Sequence, residues 1–144
     1  MKKEPLQREP SQTGSLVLAY MGDAVLEMKV RQHLIAIGVG KPHELQKKAV
    51  TYVSAKAQAL IVKSLWEQFQ EEEQRIIKRG RNARSNTIPK NASVSDYRLS
   101  TGFEALLGYL YLSDQQERLD EILDQAVHAI EFQQKNQERG DHHE

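Results

Sequence analysis

Ala19-Tyr-Met-Gly-Asp-Ala-Val-Leu-Glu-Met28 sets one acid, Asp23, inside an apolar helical run. Apolar positions continue at helical spacing on both sides: Leu16, Tyr20, Val25, Met28, Leu34 and Ile37. They predict one long first helix, stopped by Gly38 and Gly40. A second segment repeats the pattern. Ser100-Thr-Gly-Phe-Glu-Ala-Leu-Leu-Gly-Tyr109 carries Glu104 among apolar neighbours. A carboxylate in such a setting costs several kcal/mol unless it is paired, neutralised or metal-bound. For a lone acid, capping or bridging is the ordinary explanation. Two such acids in a short chain suggest a pair that meets around a cation. Gly22 beside Asp23, with Gly102 and Gly108 flanking Glu104, removes side chains where the two helices would cross. A glycine inside a helix costs about 1 kcal/mol relative to alanine, so it marks close approach by a helix or a ligand.

The intervening chain also reads as helices. Pro42 suits a first turn, followed by an inner face of Leu45, Ala49, Tyr52 and Val53. Ser54 can cap a third helix through Ala57, Leu60, Ile61 and Leu65 to Trp66. Glu71 to Gly80 opens with acids, closes with bases and is expected to end at Gly80. Residues 81–94 lack apolar periodicity and read as a long polar loop, of the kind that is usually functional or disordered. Ser95 or Asp96 can cap the next helix, with Leu99, Phe103, Leu106, Leu107 and Leu110 inside. A last helix from about Gln115 buries Leu119, Ile122, Leu123, Val127 and Ile130. No segment alternates as a strand would. The expected fold is all-α, with six or so helices in one domain over residues 14–132, a flexible start at 1–13 and a flexible tail at 133–144.

Composition narrows the chemistry. The chain has 144 residues and no cysteine, which excludes disulfides and cysteine-ligated zinc or iron–sulfur centres. No apolar stretch approaches the roughly 20 residues of a membrane span. The first residues are charged with no apolar run behind them, so the simplest location is the cytoplasm. Net charge is zero but uneven. From Arg75 to Arg98 there are seven bases and one acid, a local +6, whereas residues 114–144 carry nine acids and three bases, a local −6. The basic stretch suggests an anion-binding surface, the alternative being a solvated loop. His33 and His43 are not at metal-ligand spacing and His142-His143 lie in the tail, so all five histidines read as surface or structural. No nucleophile elbow or glycine-rich phosphate loop is present. A hard cation on few carboxylates suits Mg²⁺, which keeps several of its waters. With a basic surface beside it, a phosphodiester is the natural substrate.

Tyr20-Met-Gly-Asp-Ala-Val-Leu26 resembles the signature of the ribonuclease III domain, and Phe103-Glu-Ala-Leu-Leu-Gly108 resembles the second acidic helix of that family. Lys78-Arg-Gly-Arg-Asn-Ala83, Thr87-Ile-Pro-Lys-Asn91 and Tyr97-Arg98 look like motifs of its short subfamily, Mini-III ribonuclease, which lacks an appended double-stranded-RNA-binding domain. The resemblance covers roughly residues 14–130. It implies an all-α endonuclease domain, a homodimer and Mg²⁺-dependent cleavage of double-stranded RNA, each subunit cutting one strand to leave a short 3′ overhang. It matches Asp23 and Glu104 to the metal-binding acids of the family. It points to maturation of large-subunit (23S) ribosomal RNA precursor, and leaves room for a ribosomal protein as a further partner. Lys78, Arg79, Arg81, Arg84, Lys90 and Arg98 are inferred as phosphate contacts, since A-form RNA is read largely by shape, phosphates and 2′-hydroxyls.

Two positions depart from the broader family. Ala19 stands where a glutamate precedes the signature aspartate, and Thr101 where an aspartate precedes the second glutamate. Both changes remove carboxylates, which bears on how many metals the site holds. They are consistent with the short subfamily. Glu27 and Asp96 could supply outer ligands, with surface or capping roles the commoner use of such acids. A non-catalytic RNA- or ribosome-binding module with the same fold is the main alternative. A helical protein-interaction domain, its acids serving salt bridges, is a third reading.

Overall fold

The computed structural model describes residues 1–83, 90 and 93–141. Six helices follow in order: α1 (Ser15–Ala36), α2 (Pro42–Val53), α3 (Ala55–Leu65), α4 (Glu71–Asn82), α5 (Val94–Leu112) and α6 (Gln116–Asp141). Two short 3-10 turns, Pro10–Gln12 and Trp66–Gln68, complete the set. Among the described residues there is no strand.

The punctuation follows local chemistry. Gly38 adopts φ +96°, and the N–H groups of Gly38 and Val39 return to the carbonyls of Ile35 and Leu34, closing α1 with a Schellman motif. Ser54 caps α3 by accepting from the Ala57 N–H at 3.1 Å. Asp114, at φ 58°, makes the turn between α5 and α6, where the Gln115 N–H bonds to the Leu110 carbonyl.

α5 is the axle of the bundle and touches α1, α3, α4 and α6. Its apolar residues point in several directions because neighbours surround it. Phe103, Leu106, Leu107 and Leu110 are fully buried, as are Leu18, Leu26, Val30 and Leu34 from α1. Two glycine pairs set how closely the helices approach. A Cβ on Gly22 would fall on the carbonyl oxygen of Glu104, and one on Gly108 would fall on that of Leu18. α1 and α5 thus cross backbone to backbone, as the glycines flanking the acids suggest. At a second crossing, a Cβ on Gly80 would lie 2.8 Å from the Cα of Gly102.

Several boundaries differ from expectation. Gly80 does not end α4. The helix runs on to Asn82, and Gly80 serves the contact with Gly102 instead. The cap of α5 is Ser93, which accepts from the Asp96 N–H at 3.0 Å, earlier than the expected Ser95 or Asp96. α6 continues past Gln133 to Asp141, while its last fully apolar anchor is Ile130. The N-terminal segment is tied down as well: Lys3 Nζ donates to the Tyr111 carbonyl at 2.7 Å and to Asp114 at 2.8 Å, and Pro10 is buried in a turn that packs against α5. Polar clasps help hold α6. Arg118 forks onto the buried Glu73 of α4, with both N–O distances 2.8 Å. Glu131 bonds to His33 of α1 at 2.9 Å and to the Tyr52 hydroxyl of α2 at 2.8 Å. His33 is therefore structural, as its isolation in the sequence suggests.

Candidate active site

The site forms where α1 crosses α5. Gly22 and Gly108 bring the two backbones together, so the residues beside them, Asp23 and Glu104, converge. Glu104 is largely buried, with the Asp23 carboxylate within hydrogen-bonding reach. Loss of hydration, then the charges of Asp23 and Glu27, push the Glu104 carboxyl up to about 8 from its ordinary value. Gln58, from the first turns of α3, works against that rise by donating from Nε2 to Glu104 Oε2 at 3.3 Å. The result is a pair of acids with no cation acting on Glu104 among the described residues.

One expectation needs correction. Asp23 sits in an apolar stretch of sequence, yet its side chain is exposed. Its helical neighbours explain this. Val17, Tyr20 and Met28 are 60 %, 84 % and 62 % exposed, so this face of α1 is uncovered within the chain. The desolvation argument therefore applies to Glu104 and not to Asp23.

The other expected residues are placed as follows. Glu27 acts on Glu104 only through its charge, and its own carboxylate is held by Arg31 at 3.4 Å. Asp96 lies in the first turn of α5, where an acid complements the helix dipole. Ala19 and Thr101 are both buried, and the Thr101 hydroxyl donates to the Tyr97 carbonyl at 3.1 Å. Lys78, Arg79 and Arg81 lie on the last turns of α4, and Arg98 on the second turn of α5, all exposed. Lys90 is exposed between them, and Arg84 lies outside the described residues. Lys78 rests over the Trp66 ring, 5.6 Å from its centre. Arg79 lines a depression with Gly14, Leu16 and Val17 at the start of α1. Lys78, Arg79, Arg81 and Arg98 are thus exposed bases on the end of α4 and the start of α5.

Sequence reasoning missed Gln58. Its signal was a polar residue in the apolar stripe of α3, among Ala57, Ile61, Val62 and Leu65. The carboxyl oxygens of Glu104 and Asp23 suit a hard divalent ion. Among the described residues, no three histidine, aspartate or glutamate side chains close into a cage. Such a site leaves a bound ion with water or substrate on its remaining positions.

The all-α domain thus brings two acids together at a glycine crossing and exposes bases on α4 and the start of α5. The Ribonuclease III domain family matches residues 16–115. The chain is similar to the Mini-ribonuclease 3 of Brevibacillus brevis, with 53% identity over 131 residues, covering 91% of this chain and 98% of that protein. It is also similar to the Mini-ribonuclease 3 of Enterococcus faecalis, at 46% identity over 85% of this chain and 95% of the relative. A crystal structure of a Fusobacterium nucleatum protein superposes with a TM-score of 0.75 at 30% identity, covering 84% of this chain and 97% of that one. The chain belongs to the ribonuclease III family, in its Mini-ribonuclease 3 branch, and is an endoribonuclease of that type. Enzymes of this family act on double-stranded RNA and in general require a divalent metal. Among the described residues no helix is long and apolar enough to cross a membrane.

Proposed function

We propose that residues 14–132 form a Mg²⁺-dependent endonuclease domain for double-stranded RNA, acting in the cytoplasm as a homodimer on large-subunit (23S) ribosomal RNA precursor. The observation that carries this reading is the convergence of Asp23 and Glu104 at the α1–α5 crossing, with the Glu104 carboxyl raised by burial and by the neighbouring acids. Asp23 and Glu104 would hold the cation, directly or through its waters. When bound, the ion neutralises the pair and stabilises charge developing on the scissile phosphodiester. Glu104 is fixed from below by α5 and Gln58, while the exposure of Asp23 leaves room for a phosphate to approach.

Lys78, Arg79, Arg81, Arg84, Lys90 and Arg98 would hold the duplex by its phosphates. That mode needs no base-specific contact and weakens with salt. The uncovered apolar face of α1 supports the homodimer, because Val17, Tyr20 and Met28 form a stripe that a second copy would bury. The test is cleavage of a long RNA duplex with and without Mg²⁺, alongside Asp23→Asn. Cutting only by the unmodified protein with Mg²⁺ is expected. Cutting by Asp23→Asn would remove Asp23 from the site. No cutting by either, with duplex bound, would leave an RNA-binding module with Ala19 and Thr101 as the reason. Addition of ribosomal proteins to the same assay on precursor RNA tests for an assisting partner.

A further inference from the structure

Among the described residues four polar side chains are buried: Gln58, Glu73, Ser100 and Thr101. Three are settled. Glu73 is paired with Arg118, and the hydroxyls of Ser100 and Thr101 both donate to the Tyr97 carbonyl. Gln58 is different. It is 3 % exposed, and its Oε1 is the single buried side-chain nitrogen or oxygen without a hydrogen-bond partner among the described residues. The orientation of the amide is dictated by its neighbours. Nε2 donates to the Val53 carbonyl at 2.9 Å and to Glu104 Oε2 at 3.3 Å. The Val53 carbonyl can only accept, so the opposite orientation would set oxygen against oxygen there. Orphaning a buried amide oxygen lowers stability. An apolar side chain of the same length would continue the Ile61, Val62 and Leu65 packing without that loss. A buried polar group retained against stability points to function.

We infer that Gln58 is a positioning residue for metal binding: one N–H is anchored on Val53, the other fixes Glu104 Oε2, and the second carboxylate oxygen is left for the cation. A site with Ala19 and Thr101 in place of two acids has few ligands, so the orientation of each counts for more. Partners of this kind are commonly worth 10–100-fold in metal affinity or activity (roughly, across characterised sites). The inference rests on the reading of Glu104 as a metal ligand, and the experiment separates the two.

Gln58→Met is compared with the unmodified protein and with Glu104→Gln in three measurements: thermal unfolding without metal, Mn²⁺ binding to the RNA-free protein by electron paramagnetic resonance, and kcat and KM on a duplex. The expected result for Gln58→Met is an unchanged or higher Tm. Mn²⁺ affinity and kcat should each fall by about tenfold or more, with KM for the duplex within about twofold. A lower Tm or an unfolded protein would overturn the inference, because Gln58 would then be a structural residue. Unchanged Mn²⁺ affinity and kcat would overturn it as well. If Glu104→Gln also kept its Mn²⁺ affinity and cleavage, the metal-site reading itself would fall. If Glu104→Gln lost both and Gln58→Met lost neither, only the role of Gln58 would be withdrawn.

Discussion

Two glutamates, Glu73 in α4 and Glu104 in α5, are each withdrawn from water, and their surroundings differ in one respect. Glu73 receives the forked guanidinium of Arg118 and the Gln70 N–H at 2.7 Å, so it has two-sided support. Burial acts to raise its carboxyl, but the hydrogen bond and charge of Arg118, with the Gln70 N–H, hold it below its ordinary range. Glu104 receives one amide N–H and faces two further acids, and its carboxyl is raised. One acid is completed by its own chain. The other leaves a place for positive charge from outside. Burial of an acid therefore does not mark a functional site by itself. What distinguishes Glu104 is that no cation acts on it among the described residues.

The comparison can be broken at either end. The largest effect is expected on activity: Asp23→Asn and Glu104→Gln should each lower duplex cleavage by about 10³-fold or more, roughly 4 kcal/mol in barrier height. Circular dichroism should show the helices intact in both. Residual cleavage near the unmodified rate would move the chemistry elsewhere. On stability the heaviest losses belong to structural positions. Arg118→Met strands Glu73 and should destabilise by about 3–5 kcal/mol in urea unfolding, with activity reduced only in proportion to the folded fraction. Gly22→Ala should cost about 3 kcal/mol or more, because its Cβ meets backbone at Glu104 that cannot move aside. A Gly22→Ala protein that melts normally would refute the tight crossing.

A smaller effect concerns pH. The lowered carboxyl of Glu73 contributes stability that is present above its unfolded value and is lost as pH falls through its folded value. Acid should therefore destabilise the unmodified protein more steeply than Arg118→Met, as read by Tm between about pH 5 and pH 2.

The helical class was legible because apolar residues recur at helical spacing in each segment, and because Gly38, Pro42 and Ser54 have unambiguous local roles. Gly80 was not, since a glycine that ends a helix and one that receives another helix look alike until Gly102 is seen opposite. The reach of α6 to Asp141 was missed because Gln, Lys and Glu are good helix formers that carry a helix beyond its core. At the site, Asp23 and Glu104 were readable as a pair. The exposure of Asp23 was not, because apolar neighbours say nothing of whether anything covers them. Gln58 escaped notice because its partner lies on another helix, and only the tertiary crossing brings the amide to Glu104.

The smallest effect is also the most direct test that Glu104 awaits an external cation. Its carboxyl, raised to about 8, keeps a proton in the fold that the unfolded chain gives up near its ordinary value. Stability without metal should therefore decline as pH rises from about 4.5 toward 8, and Glu104→Gln should remove that decline. In chelator at pH 8, Glu104→Gln is predicted to melt above the unmodified protein, by on the order of 1 kcal/mol. A Glu104→Gln protein that melts lower there would mean the acid is already satisfied by its own chain, and would contradict the account.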